Sequence, residues 1–354
     1  MGVRVSTGGR LHFGFTNLSL SHERLYGGLG LALRDPRTVV TADPADEVDC
    51  DDPDAAAYAR RVVSLLDLSG ARVRVERSLP GHVGIGSGTQ LALATLTAVA
   101  RAHGVDPSPR ELAPDLGRGG RSGVGVATFE SGGFVLDAGH PTVRFTTSRP
   151  ADGEWTVPPV AAAHPIPDEW RFLLVLPAVA PGRSGVAEDA SMRTAVERAD
   201  PVLSDRIAGV LTRRLLPAVA TGNAERFGSA VEEVGRLNGA WYADEQGGTY
   251  RPPIGELVAT LSDRAAVFGA GQSSWGPAVY GVTDESHADA AREAGEDALA
   301  AAGVEGTVRV VRGRNRGARI MSASGVDPDS ESGTDRDGES GTGPDDESRA
   351  DPDG

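Results

Sequence analysis

The sequence predicts an α+β protein of two lobes that is followed by a disordered acidic tail. Strand-like and helix-like stretches alternate up to about residue 324, without the regular strand–helix–strand repeat that is typical of a parallel sheet. A segment crowded with Pro and Gly at residues 148–168 separates two groups of these stretches. We therefore predict an N-terminal domain at residues 1–160, a C-terminal domain at 161–324 and a tail at 325–354.

In the first lobe, Val-rich stretches with alternating polarity predict strands, and two longer stretches with apolar residues at helical spacing predict helices. The predicted strands are VRVSTGGRLHFGF, GGLGLAL, TVVTA, RVRVERS, FESGGFVLDAG and TVRFTT. The predicted helices are DAAAYARRVVSLLDL and GTQLALATLTAVARAHG, of which the second ends at a glycine stop signal.

The second lobe opens with WRFLLVLPAV, which predicts a buried strand. Helices are predicted at 188–199, at 202–220 and over NAERFGSAVEEVGRLNGAWY, where one apolar stripe joins Phe227, Val231, Val234, Leu237 and Trp241. A Gly-rich segment, the helix SHADAAREAGEDALAAAG and a closing strand GTVRVVRG complete the lobe.

The tail from Gly325 onward holds eleven acidic residues against two arginines. Such a composition cannot bury enough apolar surface to offset the entropy of ordering the chain, so we predict that it is disordered. An acidic interaction tail is the functional alternative.

Composition excludes several classes of function. The net charge of −15 argues against nucleic acid or an anionic membrane as the partner. All 35 basic residues are Arg, as in salt-adapted organisms, so neither a P-loop lysine nor a Schiff-base lysine is available. Cys50 is the only cysteine, and no apolar stretch approaches about 18 residues. We expect a cytoplasmic protein that is neither exported nor membrane-spanning.

The stretch GIGSGT, which directly precedes a helix, has the pattern of a phosphate cradle. The start of a helix exposes unpaired N–H groups with partial positive charge, and glycines let the backbone wrap an anion. A tight turn that uses glycine for packing is the structural alternative. The residues predicted to bind phosphate here are Gly84, Gly86, Ser87, Gly88, Thr89 and Gln90.

Two further Gly-rich segments extend this prediction. RGGRSGVGVATFESGGFVLDAG brings two arginines that can clamp phosphate or carboxylate, and FGAGQSSWGPAVYG forms a second polar loop after a strand. The phosphate-binding residues predicted from them are Arg118, Arg121, Ser122, Gly123, Gly269, Gly271, Gln272, Ser273 and Ser274.

These segments together resemble the GHMP kinase superfamily. LPGHVGIGSGTQLALA resembles its central motif, GRLHFGFTNLS its first motif and FGAGQSSWGPAVYG its third. The specific forms, above all GQSSWGPAVYG, resemble one archaeal branch, the β-ribofuranosylaminobenzene 5′-phosphate synthases of methanopterin-type cofactor synthesis. The resemblance covers the chain up to the tail and implies a two-lobed GHMP-kinase-like fold with a cleft between the lobes.

One departure from the superfamily concerns the chemistry. GHMP kinases commonly carry Ser-Gly-Val-Asp, whose Asp helps to remove a proton from the attacking hydroxyl, whereas this chain has Ser122, Gly123, Val124 and then Gly125. The missing carboxylate argues against ordinary hydroxyl phosphorylation. The synthase reaction implied by the resemblance joins 4-hydroxybenzoate or 4-aminobenzoate to phosphoribosyl pyrophosphate, with loss of CO2 and pyrophosphate. A GHMP kinase that uses ATP and Mg²⁺ and a non-catalytic phosphometabolite-binding protein are the alternatives.

The remaining candidates depend on this reaction. Arg10 could pair with the benzoate carboxylate or the 5′-phosphate, and His12 or Asn17 could contact the ribose or the ring. The histidines lack the spacing of metal ligands, so we expect no zinc site. We expect instead a Mg²⁺ ion held chiefly by the substrate pyrophosphate, with Ser87 and Asp115 nearby. The expected partners are small-molecule substrates, and a homodimer stays open.

Overall fold

The computed structural model describes residues 2–146, 148–180 and 185–323. The predicted tail at 325–354 lies outside the described residues. The chain up to Ala323 forms one compact unit that mixes helices and sheets, so the α+β prediction is confirmed.

Two antiparallel sheets organise this unit. The larger sheet has seven strands in the order β11-β1-β2-β4-β6, with β3 and β5 also paired to β2, and the smaller sheet has the order β10-β7-β9-β8. The strands are β1 (Val3–Asn17), β2 (Arg24–Pro44), β3 (Ala71–Arg77), β4 (Phe134–Asp137), β5 (His140–Pro141), β6 (Val160–His164), β7 (Trp170–Pro177), β8 (Gly269–Gln272), β9 (Val279–Asp284), β10 (Gly306–Arg312) and β11 (Arg319–Ser322).

Helices cover both sheets. They are α1 (Pro53–Leu65), α2 (Ser87–Ala102), α3 (Pro109–Leu112), α4 (Val124–Glu130), α5 (Gly185–Arg198), α6 (Pro201–Val210), α7 (Leu216–Ala220), α8 (Ala224–Trp241), α9 (Ala243–Gln246), α10 (Ile254–Ser262) and α11 (Ala288–Ala301). A π-helical turn at Leu211–Leu215 links α6 to α7, so the single helix predicted at 202–220 is interrupted there.

The predicted apolar stripe of α8 lies in the larger of the hydrophobic cores. Phe227 is fully buried, and its ring packs edge-on against Phe13 of β1 and Phe134 of β4, and at a tilt on Trp170 of β7. Since β1 and β4 belong to the larger sheet and β7 to the smaller one, this helix packs against both sheets. A second core lies between α1, α2 and the larger sheet.

The structure differs from the predicted elements at several places, among them the unpredicted β6, α3, α9 and α10. GGLGLAL and TVVTA are parts of one long strand, β2. Residues Thr142–Arg144 of the predicted strand TVRFTT form a 3₁₀ turn, in which Val143 is 94% exposed. The short helix α4 and the last strand β11 were not predicted.

Strands from both sides of the predicted boundary at residue 160 belong to the larger sheet. β6 pairs with β4, and β11 returns to pair with β1. The division into domains at 1–160 and 161–324 stays a prediction.

Candidate active site

The first turn of α2 opens into a cavity of about 1020 Å³. Gly86 caps the helix with a φ of +84°, a left-handed conformation that glycine adopts without strain. The first amides of a helix have no partner within it, so they can bind an anion. Gly84, Gly86, Ser87, Gly88 and Thr89 all line the cavity, as the cradle prediction requires.

The third Gly-rich segment packs directly against this cradle. The amide of Ala278 donates to the carbonyl of Val83 at 3.0 Å, and the Ser273 hydroxyl donates to the carbonyl of Gly84 at 2.8 Å. A Cβ atom on Gly84 would lie 2.2 Å from the Ser273 carbonyl oxygen. Position 84 therefore admits only glycine, because this contact leaves no room for a side chain.

Strand β1 supplies Arg10 and His12, which both line the cavity. One guanidinium nitrogen of Arg10 donates to the Gly84 carbonyl at 2.5 Å, and its aliphatic stem passes close to Gly86. The amide of His12 donates to the Ser273 hydroxyl at 3.1 Å. Arg10 thus lies beside the start of α2 as a cation that adds to the partial charge of the helix.

The loop before α4 brings two more arginines to the cavity. Arg118 donates to the hydroxyl of Tyr58, and its guanidinium also lies over the Tyr58 ring, 5.4 Å from the centroid. The same guanidinium is next to Gly88 in the first turn of α2. Arg121 forms an ion pair with Asp189 of α5.

Asp137, at the end of β4, is a buried carboxylate that organises this loop. It accepts hydrogen bonds from the amide of Gly123 at 2.7 Å, the amide of Gly139 at 2.9 Å and the hydroxyl of Ser122 at 3.2 Å. The Ser122 hydroxyl oxygen lies 3.1 Å from His12 Nε2. A hydrogen-bonded chain therefore runs from Asp137 through Ser122 to His12.

Burial shifts both ends of this chain away from their charged forms. It raises the pKa of Asp137, and hydrogen bonds from the amides of Gly139, Gly123 and Gly28 act in the opposite direction. Burial, together with the nearby charge of Arg10, lowers the pKa of His12 to about 3. The His12 imidazole is therefore neutral at physiological pH.

Gly125, where GHMP kinases commonly carry Asp, also lines the cavity. A Cβ atom at this position would lie 3.1 Å from the Thr89 methyl carbon, so a side chain here would press on the first turn of α2. The departure from the kinase pattern therefore lies beside the cradle itself.

Two predicted site residues have their side chains committed elsewhere. Gln90 is fully buried: its amide oxygen accepts from Thr7 at 2.6 Å and its amide nitrogen donates to the Gly125 carbonyl at 2.9 Å. Asn17 donates to the carbonyls of Ser19 and Arg24 and accepts from Ser204. These contacts use the polar side-chain atoms inside the fold, and neither residue lines the cavity, so their assignments to phosphate and to the ribose or ring stay predictions without support from the geometry.

Several residues of the predicted phosphate set support the site without facing the cavity. The amide of Gly123 serves Asp137, and the hydroxyl of Ser273 bridges β1 to the cradle. Gly269 and Gly271 form β8, where a Cβ atom would clash with Gly228 and Tyr280 respectively. From the third segment Ser274 lines the cavity, whereas Gln272 and Ser273 do not.

The donor set does not form a metal site held by protein groups. Within 2–146, 148–180 and 185–323, no three His, Cys, Asp or Glu side chains come together as ligands for an ion. Asp115 does not line the cavity, whereas Ser87 does. Of the two metal candidates, the geometry therefore leaves Ser87 alone beside the cradle.

Eleven charged residues line the cavity, and all but Arg10, Arg118 and Arg121 were not predicted. Six arginines and five acidic residues line it: Arg10, Arg118, Arg121, Arg144, Arg149, Arg193, Asp52, Asp54, Asp152, Glu154 and Asp189. Arg149 and Asp152 form an ion pair at 3.1 Å. The signal for Asp137 was present in the sequence, as an acidic residue at the end of an otherwise apolar strand, two residues before Gly139. The three arginines that were not predicted are Arg144 in the 3₁₀ turn, Arg149 in an irregular segment and Arg193 in α5, and none of them belongs to a motif.

Two segments of the chain match models of known protein families. Residues 55–133 match the GHMP kinases N terminal domain, and residues 215–301 match the GHMP kinases C terminal model. No helix of the described residues is long and apolar enough to cross a membrane.

Similar proteins come from archaea. The chain is 34% identical over 331 residues to the beta-ribofuranosylphenol 5'-phosphate synthase of Methanothermobacter thermautotrophicus, covering 89% of this chain and 97% of the relative. It is 30% identical over 325 residues to the protein of the same name from Archaeoglobus fulgidus, covering 90% and 99%.

Solved structures share the fold at low sequence identity. Homoserine kinase from Cytophaga hutchinsonii superposes with a TM-score of 0.62 at 17% identity, covering 90% of this chain and 97% of the kinase. Galactokinase from Lactococcus lactis, solved with galactose, gives a TM-score of 0.64 at 12% identity, covering 90% and 95%. The GHMP kinase fold predicted from the motifs is confirmed.

Proposed function

Since the chain belongs to the family of beta-ribofuranosylphenol 5'-phosphate synthases, which is built on the GHMP kinase fold, we propose that it joins 4-hydroxybenzoate to 5-phosphoribosyl 1-diphosphate with loss of CO2 and diphosphate. The names of the relatives specify a phenol product. For this reason we take the hydroxybenzoate, and not 4-aminobenzoate, as the acceptor.

The observation that carries the proposal is Gly125 beside the first turn of α2. A kinase needs a group that takes the proton of the attacking hydroxyl, and a carboxylate at this position would supply it. Here the position has no side chain, and any carboxylate added there would meet Thr89 and the anion expected at the helix start. The site therefore favours a reaction in which a diphosphate departs.

In the proposed reaction, the diphosphate of the donor lies against the amides at the start of α2. The bond between the ribosyl C1 and the diphosphate oxygen breaks, and its electron pair leaves with the diphosphate. The helix amides, Arg10 and Arg118 stabilise the negative charge that develops there. These groups are held in place by Gly84 and Tyr58 before the substrate arrives.

The acceptor supplies the new bond from its ring. The carbon that bears the carboxylate attacks the ribosyl C1, and the carbon–carboxylate bond then breaks, so that its electrons restore the aromatic ring and CO2 departs. No hydroxyl nucleophile has to lose a proton in this sequence. The neutral imidazole of His12 suits such a site, because it adds no charge beside the electron-rich ring.

A divalent cation belongs to this proposal only as a companion of the substrate diphosphate. Mg²⁺ commonly binds through phosphate oxygens and water with few protein ligands, and the Ser87 hydroxyl is the candidate that remains on the protein side. A bound Mg²⁺ would neutralise part of the diphosphate charge.

The experiment is a reaction with 4-hydroxybenzoate labelled in its carboxylate, 5-phosphoribosyl 1-diphosphate and Mg²⁺. We expect labelled CO2 and diphosphate in equal amounts. Formation of ADP from ATP with a small alcohol, without CO2 release, would support the kinase alternative. Binding of the sugar donor without any turnover would support a non-catalytic binding protein.

A further inference from the structure

A second, smaller cavity adjoins the main one and is called here the side pocket. It has a volume of about 60 Å³ and shares His12, Phe15, Ser274 and Trp275 with the main cavity. Its walls combine five aromatic residues with glycines and polar residues, and the aromatic ones are Phe13, Phe15, Tyr242, Tyr250 and Trp275. The rings of Tyr242 and Trp275 pack edge-on with their centroids 4.6 Å apart, which fixes one wall.

Two polar atoms of the side-pocket residues are enclosed without a hydrogen-bond partner in the part of the chain that the structure describes. They are Nδ1 of His12 and Oε1 of Gln272. His12 as a whole is only 4% exposed. A buried polar atom left without a partner destabilises a fold by about 1–3 kcal/mol, so such atoms call for a ligand that pairs with them.

The hydrogen bonds of Ser122 determine whether His12 Nδ1 donates or accepts a hydrogen bond. The Ser122 hydroxyl donates its single hydrogen to Asp137, and its oxygen accepts from the amide of Val124 at 3.2 Å. His12 Nε2, 3.1 Å from the same oxygen, must then carry the hydrogen of the neutral imidazole. Nδ1 is left with a lone pair, so it accepts hydrogen bonds, as does the amide oxygen of Gln272.

Two further side-chain amides line the side pocket, Asn238 and Gln246, and Gln246 donates to the carbonyl of Thr249 at 2.7 Å. Asn238 accepts from the amide of Phe15 at 2.7 Å and donates to the carbonyls of Phe15 and Val234. The residues around the side pocket thus combine aromatic surface with these two enclosed acceptor atoms, a combination that suits a flat, apolar group tipped with a hydrogen-bond donor.

We propose that the side pocket binds the end of the acceptor ring opposite its carboxylate and accepts a hydrogen bond from the substituent there. This inference rests on the proposed function, since it assigns one end of the proposed acceptor. The substituent's hydrogen is shared with His12 Nδ1 and Gln272 Oε1, and the adjacent ring edge lies among the aromatic walls.

The size of the side pocket agrees with binding one end of the ring only. A cavity that holds a whole benzene molecule is about 150 Å³, more than twice the volume of the side pocket. The carboxylate-bearing carbon therefore stays in the main cavity, where the ribosyl donor binds. His12, which belongs to both cavities, lies where the two ends of the acceptor meet.

Calorimetric binding of three benzoates to the full-length protein tests the assignment. 4-Hydroxybenzoate has the donor, benzoate lacks the substituent, and 4-methoxybenzoate has the oxygen without its hydrogen. We expect 4-hydroxybenzoate to bind about tenfold more tightly than either of the others, a difference of about 1.4 kcal/mol that one well-placed hydrogen bond can supply.

A pair of variants locates the effect. Gln272→Leu removes the acceptor, and we expect the preference for 4-hydroxybenzoate over benzoate to fall below about threefold. Gln272→Glu keeps an acceptor oxygen of the same reach and should keep the preference. The affinity for 5-phosphoribosyl 1-diphosphate should stay the same in both variants, which shows that they fold.

Equal binding of the three benzoates to the unaltered protein would overturn the inference, and so would an unchanged preference in Gln272→Leu. Labelled CO2 release by a protein that shows either result would leave the proposed function standing without the side pocket. Tight, selective binding of 4-hydroxybenzoate without CO2 release would support the side pocket and contradict the synthase reaction.

Discussion

Asp137 joins three parts of the candidate site through one buried side chain. Its carboxylate receives amides from the loop before α4 and from the turn after β4, and Ser122 links it to His12. The side chain is 2% exposed. Its charged form is therefore held in place by hydrogen bonds and opposed by burial, and burial prevails, since the pKa is raised.

This balance predicts how Asp137 affects stability as the pH changes. Because the pKa of the folded state is above the ordinary value of 3.8, the folded protein binds this proton more tightly than the unfolded chain does. The resulting stabilisation is full below the ordinary value and is lost as the pH rises through the raised pKa. Asp137→Asn cannot titrate.

The parent should therefore lose stability relative to Asp137→Asn as the pH rises from about 4 to about 7. The difference between the two free energies of unfolding should change in favour of the variant over this range. Urea unfolding of both proteins at several pH values measures this difference. Two pH profiles that run parallel over that range would contradict the expectation.

At this scale, the sequence reveals which residues belong to a motif but not which way each side chain points. Ser87 and Gln90 belong to one motif, yet Ser87 faces the cavity while Gln90 is turned into the core between Thr7 and Gly125. Asn17 follows the same rule, because its partners Ser19 and Ser204 are 2 and 187 residues away. The distant partner could not be read from any local pattern.

At the scale of elements, the cradle depends on the contact between the loop before α2 and the loop after β8. Gly84 has a φ of +95° and lies against the Ser273 carbonyl, whereas Gly81, three residues earlier, has no atom within 4 Å of where a Cβ would lie. The two glycines therefore have different roles within one loop.

Gly84→Ala should separate these two loops, because a methyl group meets a backbone atom in a conformation that L-residues avoid. We expect a loss of about 1–3 kcal/mol in the free energy of unfolding and a higher KM for the sugar donor. Gly81→Ala is the matched control and should change neither. Comparable effects in both variants would show that the contact is not what positions the cradle.

Elements were predicted well where a long stretch of sequence carries a periodic apolar pattern. Helix α8 has its stripe on 18 residues, and packing against β1, β4 and β7 agrees with it. The four-residue strand β11 and the seven-residue helix α4 are too short for any period to stand out. Their formation depends on partners such as β1 that are distant in sequence.

At the scale of the whole molecule, charge is unevenly balanced. The chain has 50 acidic residues against 35 arginines, so the folded protein repels itself at low ionic strength. Salt shortens the Debye length from about 10 Å at 0.1 M to about 3 Å at 1 M, which weakens that repulsion.

We accordingly expect Tm to rise by a few degrees when NaCl is raised from about 0.1 M to about 1 M. Scanning calorimetry of the full chain measures the shift. A chain that ends at Ala323 lacks eleven acidic residues and two arginines, so its rise should be smaller. A Tm that falls with salt would rule out self-repulsion as the dominant charge effect.

The pairing of β11 with β1 also determines when the larger sheet can finish folding during synthesis of the chain. Val3 is aligned with Ser322, so one edge of the first strand has no neighbour until almost the entire compact unit has left the ribosome. At 5–20 residues per second this wait is on the order of 15 to 60 s. For that time the nascent chain carries an open strand edge, which makes early chaperone protection of its N-terminus valuable to the cell.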